Sequence, residues 1–128
     1  MKPREQLVIS SMNIRAIQAP HNNRLAILPP PESLGFIIND KLLHAADSLD
    51  FDTSFPYQVL ALPVAAPWLL RIEVIQLAIK LKPKHLIPIH DGMLKDFAAR
   101  TNTSVLEKIL VPHGIQFHPL QPNEVLEV

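Results

Sequence analysis

A chain of 128 residues, 48% of them hydrophobic, suffices for one compact domain with its own core. Twelve Lys+Arg against 12 Asp+Glu leave no net charge, so nothing electrostatic draws the chain to nucleic acid or an anionic membrane. The absence of cysteine excludes a disulfide framework, a thiolate nucleophile and Cys-type zinc sites, and it fits a reducing, cytoplasmic compartment.

The opening residues, Met1-Lys2-Pro3-Arg4-Glu5-Gln6, lack the apolar centre of a signal peptide. Residues 7–10 and 13–19 read as strands, the second setting Ile14, Ala16 and Ile17 among polar neighbours. Residues 21–33 are polar and proline-rich, a loop stiffened by Pro29-Pro30-Pro31. Two apolar runs, 34–38 and 41–46, meet at Asn39-Asp40. That pair tolerates positive φ and predicts a tight hairpin. Residues 47–56 form a loop. Residues 57–64 are almost wholly apolar, which suits a strand buried on both faces.

Residues 68–81 carry the clearest helical period. Pro67 stands at the start, where a missing N–H costs least. Arg71, Glu73, Gln76 and Lys80 share one side; Leu70, Val74, Leu77, Ala78 and Leu81 cover the other. Lys82-Pro83 ends the helix, and 84–89 is another short apolar strand. Strand, helix, strand over 57–89 is a βαβ unit, so its two strands are parallel. The longest apolar stretch, 59–70, holds Pro63 and Pro67 and is too short to span a bilayer. A second helix is predicted over 104–112, with Ser104 and Glu107 spaced as a capping box and Gly114 as its stop. Residues 115–118 and 124–128 are expected to pair as closing strands around Gln121-Pro122-Asn123. Nothing repeats and nothing marks a boundary, so residues 1–128 read as one α/β domain.

Three of these strands end on a group able to bind a metal. The first delivers His21 after Pro20, the 41–46 strand delivers Asp47, and the 84–89 strand delivers His90 ahead of Asp91-Gly92. Open α/β sheets build their sites outside the carboxyl ends of the strands. Two imidazoles and a carboxylate are the ingredients of a transition-metal site. Singly, each has an ordinary explanation: a histidine at a strand-loop junction, a carboxylate capping a turn, a polar loop residue. Their equivalent placement on three strands singles them out. His44, inside a strand, is expected to be packed or to support Asp47. His85 is expected at the surface, His113 near a helix C-terminus and His118 in a terminal strand. The chain has no Gly-x-Gly-x-x-Gly, Walker-type loop, Gly-x-Ser-x-Gly or His-Glu-x-x-His. That leaves nucleotide-phosphate cradling, serine-hydrolase and zincin-type chemistry without support.

The order of these segments resembles the metallo-β-lactamase superfamily. Leu34-Gly35-Phe36-Ile37-Ile38 followed by Leu43-His44-Ala45-Ala46-Asp47-Ser48 is similar to that family's hairpin into a strand ending Gly-Asp-Thr. Val59-Leu60-Ala61-Leu62-Pro63-Val64 looks like the buried strand that follows. Leu81-Lys82-Pro83-Lys84-His85-Leu86-Ile87-Pro88-Ile89-His90 is similar to its Pro-Lys…Ile-Pro-x-His segment. Leu120-Gln121-Pro122-Asn123-Glu124 looks like its closing Leu-x-Pro-Gly-Glu strand. The branch it resembles most is that of ascorbate-6-phosphate lactonase-like metal-dependent hydrolases.

The resemblance covers nearly the whole chain. It implies the C-terminal half of an αββα metallo-β-lactamase-like sandwich, a mixed sheet with helices packed on one face. It implies that His21 completes a first metal's ligands, that Asp47 bridges two metals and that His90 holds the second. The divalent metal would be zinc, manganese or iron. The chemistry would be hydrolysis of a small-molecule ester, lactone or phosphoester by a metal-activated hydroxide. The family's His-x-His-x-Asp-His cluster belongs to the other half and is absent here. Ala46, Ser48 and Asn123 stand where the family carries glycine, threonine and a turn glycine. A half-sandwich leaves one apolar sheet face unpaired. Self-association or pairing with a missing N-terminal half is therefore expected, with the lone chain inactive. The alternative is a non-catalytic remnant or interaction module that keeps the half-fold without metal chemistry.

Overall fold

The computed structural model describes residues 1–22 and 29–128. One seven-stranded sheet runs in sequence order: β1 (Gln6–Ile9), β2 (Met12–Gln18), β3 (Leu34–Ile38), β4 (Leu42–His44), β5 (Val59–Pro63), β6 (His85–Ile89) and β7 (Gln116–Phe117). Helix α1 (Arg71–Leu81) follows β5, and α2 (Asp96–Leu110) follows β6, prolonged by a 3₁₀ turn at Val111–His113. Strands β1 to β4 pair antiparallel and β4 to β7 pair parallel. The protein is an α/β fold with a mixed sheet, and β5-α1-β6 is the βαβ unit its sequence predicts.

Local chemistry sets these choices. Asn39 and Asp40 both take φ 52°, and Lys41 N–H donates to the Ile38 carbonyl at 3.0 Å. Two positive φ angles in a two-residue loop make the twist that joins β3 to β4. Helix α1 stops where Lys82 turns left-handed and donates its N–H to Ala78. Gly114, at φ 83°, closes the 3₁₀ turn as expected.

The core lies against one face of the sheet. Ile37, Leu43, Leu60, Leu86 and Phe117 stand in register across five strands. They form a single cluster with Val74, Ile75 and Ala78 of α1 and Leu106 and Leu110 of α2. At the end of that row Arg15 caps the Phe55 ring at 4.4 Å. The opposite face lies outside this cluster. It carries Ile14, Phe36, Ile38, Leu42, His44 and Ile87, all half-buried, together with Ala16, Val59, Ala61 and His85, which are buried. No strand residue on that face carries a charged side chain apart from what its histidines hold.

Three expectations are corrected. Helix α1 begins at Arg71, because Pro67 and Trp68 form a turn closed by Leu69 N–H on the Ala66 carbonyl at 3.1 Å. Helix α2 begins at Asp96, well before Ser104. Its inward face is Asn102, Leu106 and Leu110, and a polar first member hides that spacing from a hydrophobic reading. Residues 124–128 form no strand; β7 pairs with β6 alone. Pro119 and Pro122 remove donors from any further ladder. The loop expected over 21–33 falls partly outside the described residues. No helix among the described residues is long and apolar enough to cross a membrane.

Candidate metal centre

Strand direction brings the three singled-out residues to one rim. β2 and β4 each run antiparallel to β3, so they point the same way, and β6 runs with β4. Their carboxyl ends therefore share an edge of the sheet, and His21, Asp47 and His90 lie just beyond them.

Asp47 and His90 meet there. The His90 Nε2 lies 3.4 Å from Asp47 Oδ1, with side chains 24% and 42% exposed. His90 Nδ1 lies 2.7 Å from the Ala65 carbonyl. A carbonyl oxygen only accepts, so the Nδ1 carries the proton and a neutral ring presents its Nε2 lone pair to the carboxylate. Two lone pairs facing each other need a cation between them. An additional proton on Nε2 meets that need, and so does a metal ion. His21 shows the same orientation: its Nδ1 donates to the Asn22 carbonyl at 2.9 Å, which leaves its Nε2 lone pair to be offered elsewhere. Backbone carbonyls commonly fix metal-binding imidazoles this way.

Trp68 joins these rings. Its indole lies 4.5 Å from the His21 ring and 5.4 Å from the His90 ring, centroid to centroid. Its Nε1–H is buried with no acceptor among the described residues. Reading the chain alone places Trp68 inside a helix and assigns it no role. The available signal was its position directly after the carboxyl end of a buried strand, where sites form. Beside His21 opens a cavity of about 440 Å³ lined by Pro20, Asn22, Ser48, Leu49, Asp50 and Glu73, among others. Among the described residues, no three His, Asp or Glu side chains stand close enough to hold one ion. The structure thus joins Asp47 to His90 and sets His21 against the other contact of the indole.

The turn that presents Asp47 is held by its neighbours. His44 Nδ1 accepts the Ala46 N–H at 3.1 Å, so its proton sits on Nε2. Ser48, fully buried, donates its hydroxyl to the Asp50 carbonyl at 2.9 Å and accepts the Asp50 N–H at 3.0 Å. Two residues here are left-handed without being glycine: Ala46 at φ 52° and His90 at φ 64°. Strained backbone of this kind collects at functional sites. Ala46→Gly should gain about 0.5–1 kcal/mol of stability, because glycine relieves a left-handed penalty larger than its own entropic cost. Urea unfolding reads the gain, and a lower midpoint in the variant would contradict it.

Two histidines resist protonation in the folded protein. Burial pushes His44 below its ordinary value of 6.5, with the Asp47 carboxylate opposing. Burial likewise lowers His85, helped by His118 and Lys84. His85 is only 7% exposed, which corrects the expectation of a surface position. Both rings bind protons more readily in the unfolded chain. Their contribution to stability is therefore complete above pH 6.5 and declines as pH falls toward the folded-state values. Urea midpoints should fall on acidification through that window, with a shallower fall in His44→Gln. A wild-type midpoint that stays level would refute the assignment.

No family profile matches the chain. Over 95 residues it is 26% identical to Protein Rv0786c of Mycobacterium tuberculosis (strain ATCC 25618 / H37Rv), a match covering 70% of this chain and 44% of that protein. The chain thus spans less than half the length of this curated relative.

Proposed function

We propose that this chain is the C-terminal half of a metal-dependent hydrolase of the metallo-β-lactamase kind, with Asp47 and His90 as its central ligands. One observation carries the reading: the 3.4 Å between His90 Nε2 and Asp47 Oδ1, with His90 Nδ1 already committed to a carbonyl. Metal–nitrogen and metal–oxygen bonds of about 2.0–2.2 Å at a tetrahedral angle set their donors about 3.4 Å apart. The pair already has the bite of a chelate. His21, beside Trp68 with its Nδ1 committed to a carbonyl, supplies a further imidazole on the same rim. Nitrogen and oxygen donors without thiolate suit zinc, manganese or iron.

A bound divalent cation would supply Lewis acidity and an acidified water for attack on an ester, lactone or phosphoester. The chain's own residues orient the donors. Ala65 and Asn22 fix the imidazole tautomers, while His44 and Ser48 shape the turn carrying Asp47. The cavity beside His21 has room for a small molecule.

Asp47 and His90 leave most of the coordination open, because no third His, Asp or Glu among the described residues stands close enough to share their ion. The remaining ligands are assigned to a second β layer seated on the apolar face opposite the core cluster. The relative supports that occupant, because more than half of its length lies outside the match. An uncharged apolar sheet face suits another sheet packed about 10 Å away.

Trp68 is the only tryptophan and touches both imidazoles, so its fluorescence reports on the site. Added Mn²⁺ or Co²⁺ should quench it, and a chelator should restore it. Emission unchanged up to millimolar cation would end the metal reading. The interaction module without metal chemistry would then stand.

A further inference from the structure

A second pair of imidazoles occupies the far end of β6. His85 Nδ1 lies 3.0 Å from His118 Nε2, with ring centroids 5.2 Å apart and planes inclined at 36°. His85 opens β6 and His90 follows its end. Five steps along an extended strand put the two sites about 16 Å apart. Both rings belong to the sheet face opposite the core cluster. His85 is in register with Val59 and Gln116, while Phe117 enters the core and so directs its neighbour His118 the other way.

Without a metal, one ring donates its N–H to the lone pair of the other, and a single proton sits between two nitrogens. A metal ion can take that place when the donor ring carries its proton on its other nitrogen, so that both neutral rings offer a lone pair. Two metal–nitrogen bonds of about 2.0–2.1 Å at a tetrahedral angle need about 3.3 Å between nitrogens. The observed 3.0 Å falls a few tenths of an ångström short, within reach of a small rotation of the half-exposed His118 ring. Strand pairing holds the backbones in place: Gln116 N–H donates to the Lys84 carbonyl at 3.1 Å and His118 N–H to Leu86 at 2.8 Å. We propose that His85 and His118 form a two-imidazole chelate for a borderline divalent cation of the Ni²⁺, Cu²⁺ or Zn²⁺ class, independent of the Asp47–His90 end. Imidazole donors without carboxylate select these ions over Mg²⁺, Ca²⁺ and Mn²⁺. Two coordination positions remain for water, on the face where a second layer would lie.

Calorimetric titration of the full chain with Ni²⁺ tests this, with Cu²⁺ electron paramagnetic resonance counting the bound nitrogens. The wild type should take up Ni²⁺ through two imidazoles. His118→Gln, at a half-exposed position, should keep the wild-type circular dichroism and lose at least tenfold in affinity at this site. His90→Gln should retain the site, which separates this result from the fate of the Trp68 response. No uptake at millimolar Ni²⁺, or uptake unchanged in His118→Gln, would overturn the chelate and leave a hydrogen-bonded pair.

Discussion

Gly35→Ala should destabilise the protein by about 1–3 kcal/mol, the cost of overpacking a filled interior. A Cβ at position 35 would stand 2.9 Å from the His44 carbonyl oxygen, 3.0 Å from Ile17 Cγ1 and 3.2 Å from Ala19 Cβ. Ile17 and Ala19 are fully buried, and the nearest atom belongs to the backbone of the neighbouring strand. None of the three is the loose end of a flexible side chain, so β3 and β4 must part. The effect would reach the site. The His44 carbonyl precedes the turn through Ala45 and Ala46 to Asp47, and Ala45 N–H is held by the Ala61 carbonyl at 3.0 Å. Moving that turn would change the separation of Asp47 from His90. The urea midpoint and the cation-induced quenching of Trp68 should therefore fall together. A variant that unfolds at the wild-type midpoint would show that the strands have slack.

Asp47→Asn and His90→Gln should each weaken cation binding at least tenfold, while the double variant should be little worse than either single one. Two donors closing one chelate do not act additively, since removing either opens the ring. Asparagine keeps the size of the side chain and one oxygen but gives up the charge that draws the cation. Asp47 is 42% exposed, so the fold should survive its replacement. His21→Gln is the informative companion. A loss as large as that of His90→Gln would place His21 in the first set of ligands. No loss would leave it as a wall of the cavity and a neighbour of Trp68. A cation response that persists in Asp47→Asn would refute the chelate.

Much of this was legible before any coordinates. The strands over 34–46 and 57–89, the hairpin and the parallel βαβ unit followed from hydrophobic runs bounded by Asn39-Asp40 and Lys82-Pro83, because tight turns and prolines admit few residue types. The placing of Asp47 and His90 beyond strand ends was equally legible, since strand direction alone sends them to one rim. The tautomer of His90 was not. It depends on the Ala65 carbonyl, which belongs to another strand's exit. The start of α2 was hidden by Asn102, a polar residue doing a core residue's packing. Trp68 was hidden by its helical spacing, although a turn lifts it out to meet two histidines. His85 looked like a surface residue because its partner, His118, lies 33 positions away. Contacts set by crossovers leave little trace in local pattern.

The two rims of the sheet differ in what they offer a neighbour. On one side β7 is only two residues long, and Pro88 and Pro119 withhold amide hydrogens beside it. On the other, β1 is exposed along its whole length, with Leu7, Val8 and Ile9 at 45%, 67% and 51%. Only one rim can template another strand. Two chains zipped β1 to β1 about a two-fold axis would have no template left, so lateral growth would stop at a pair and could not run on into a fibril.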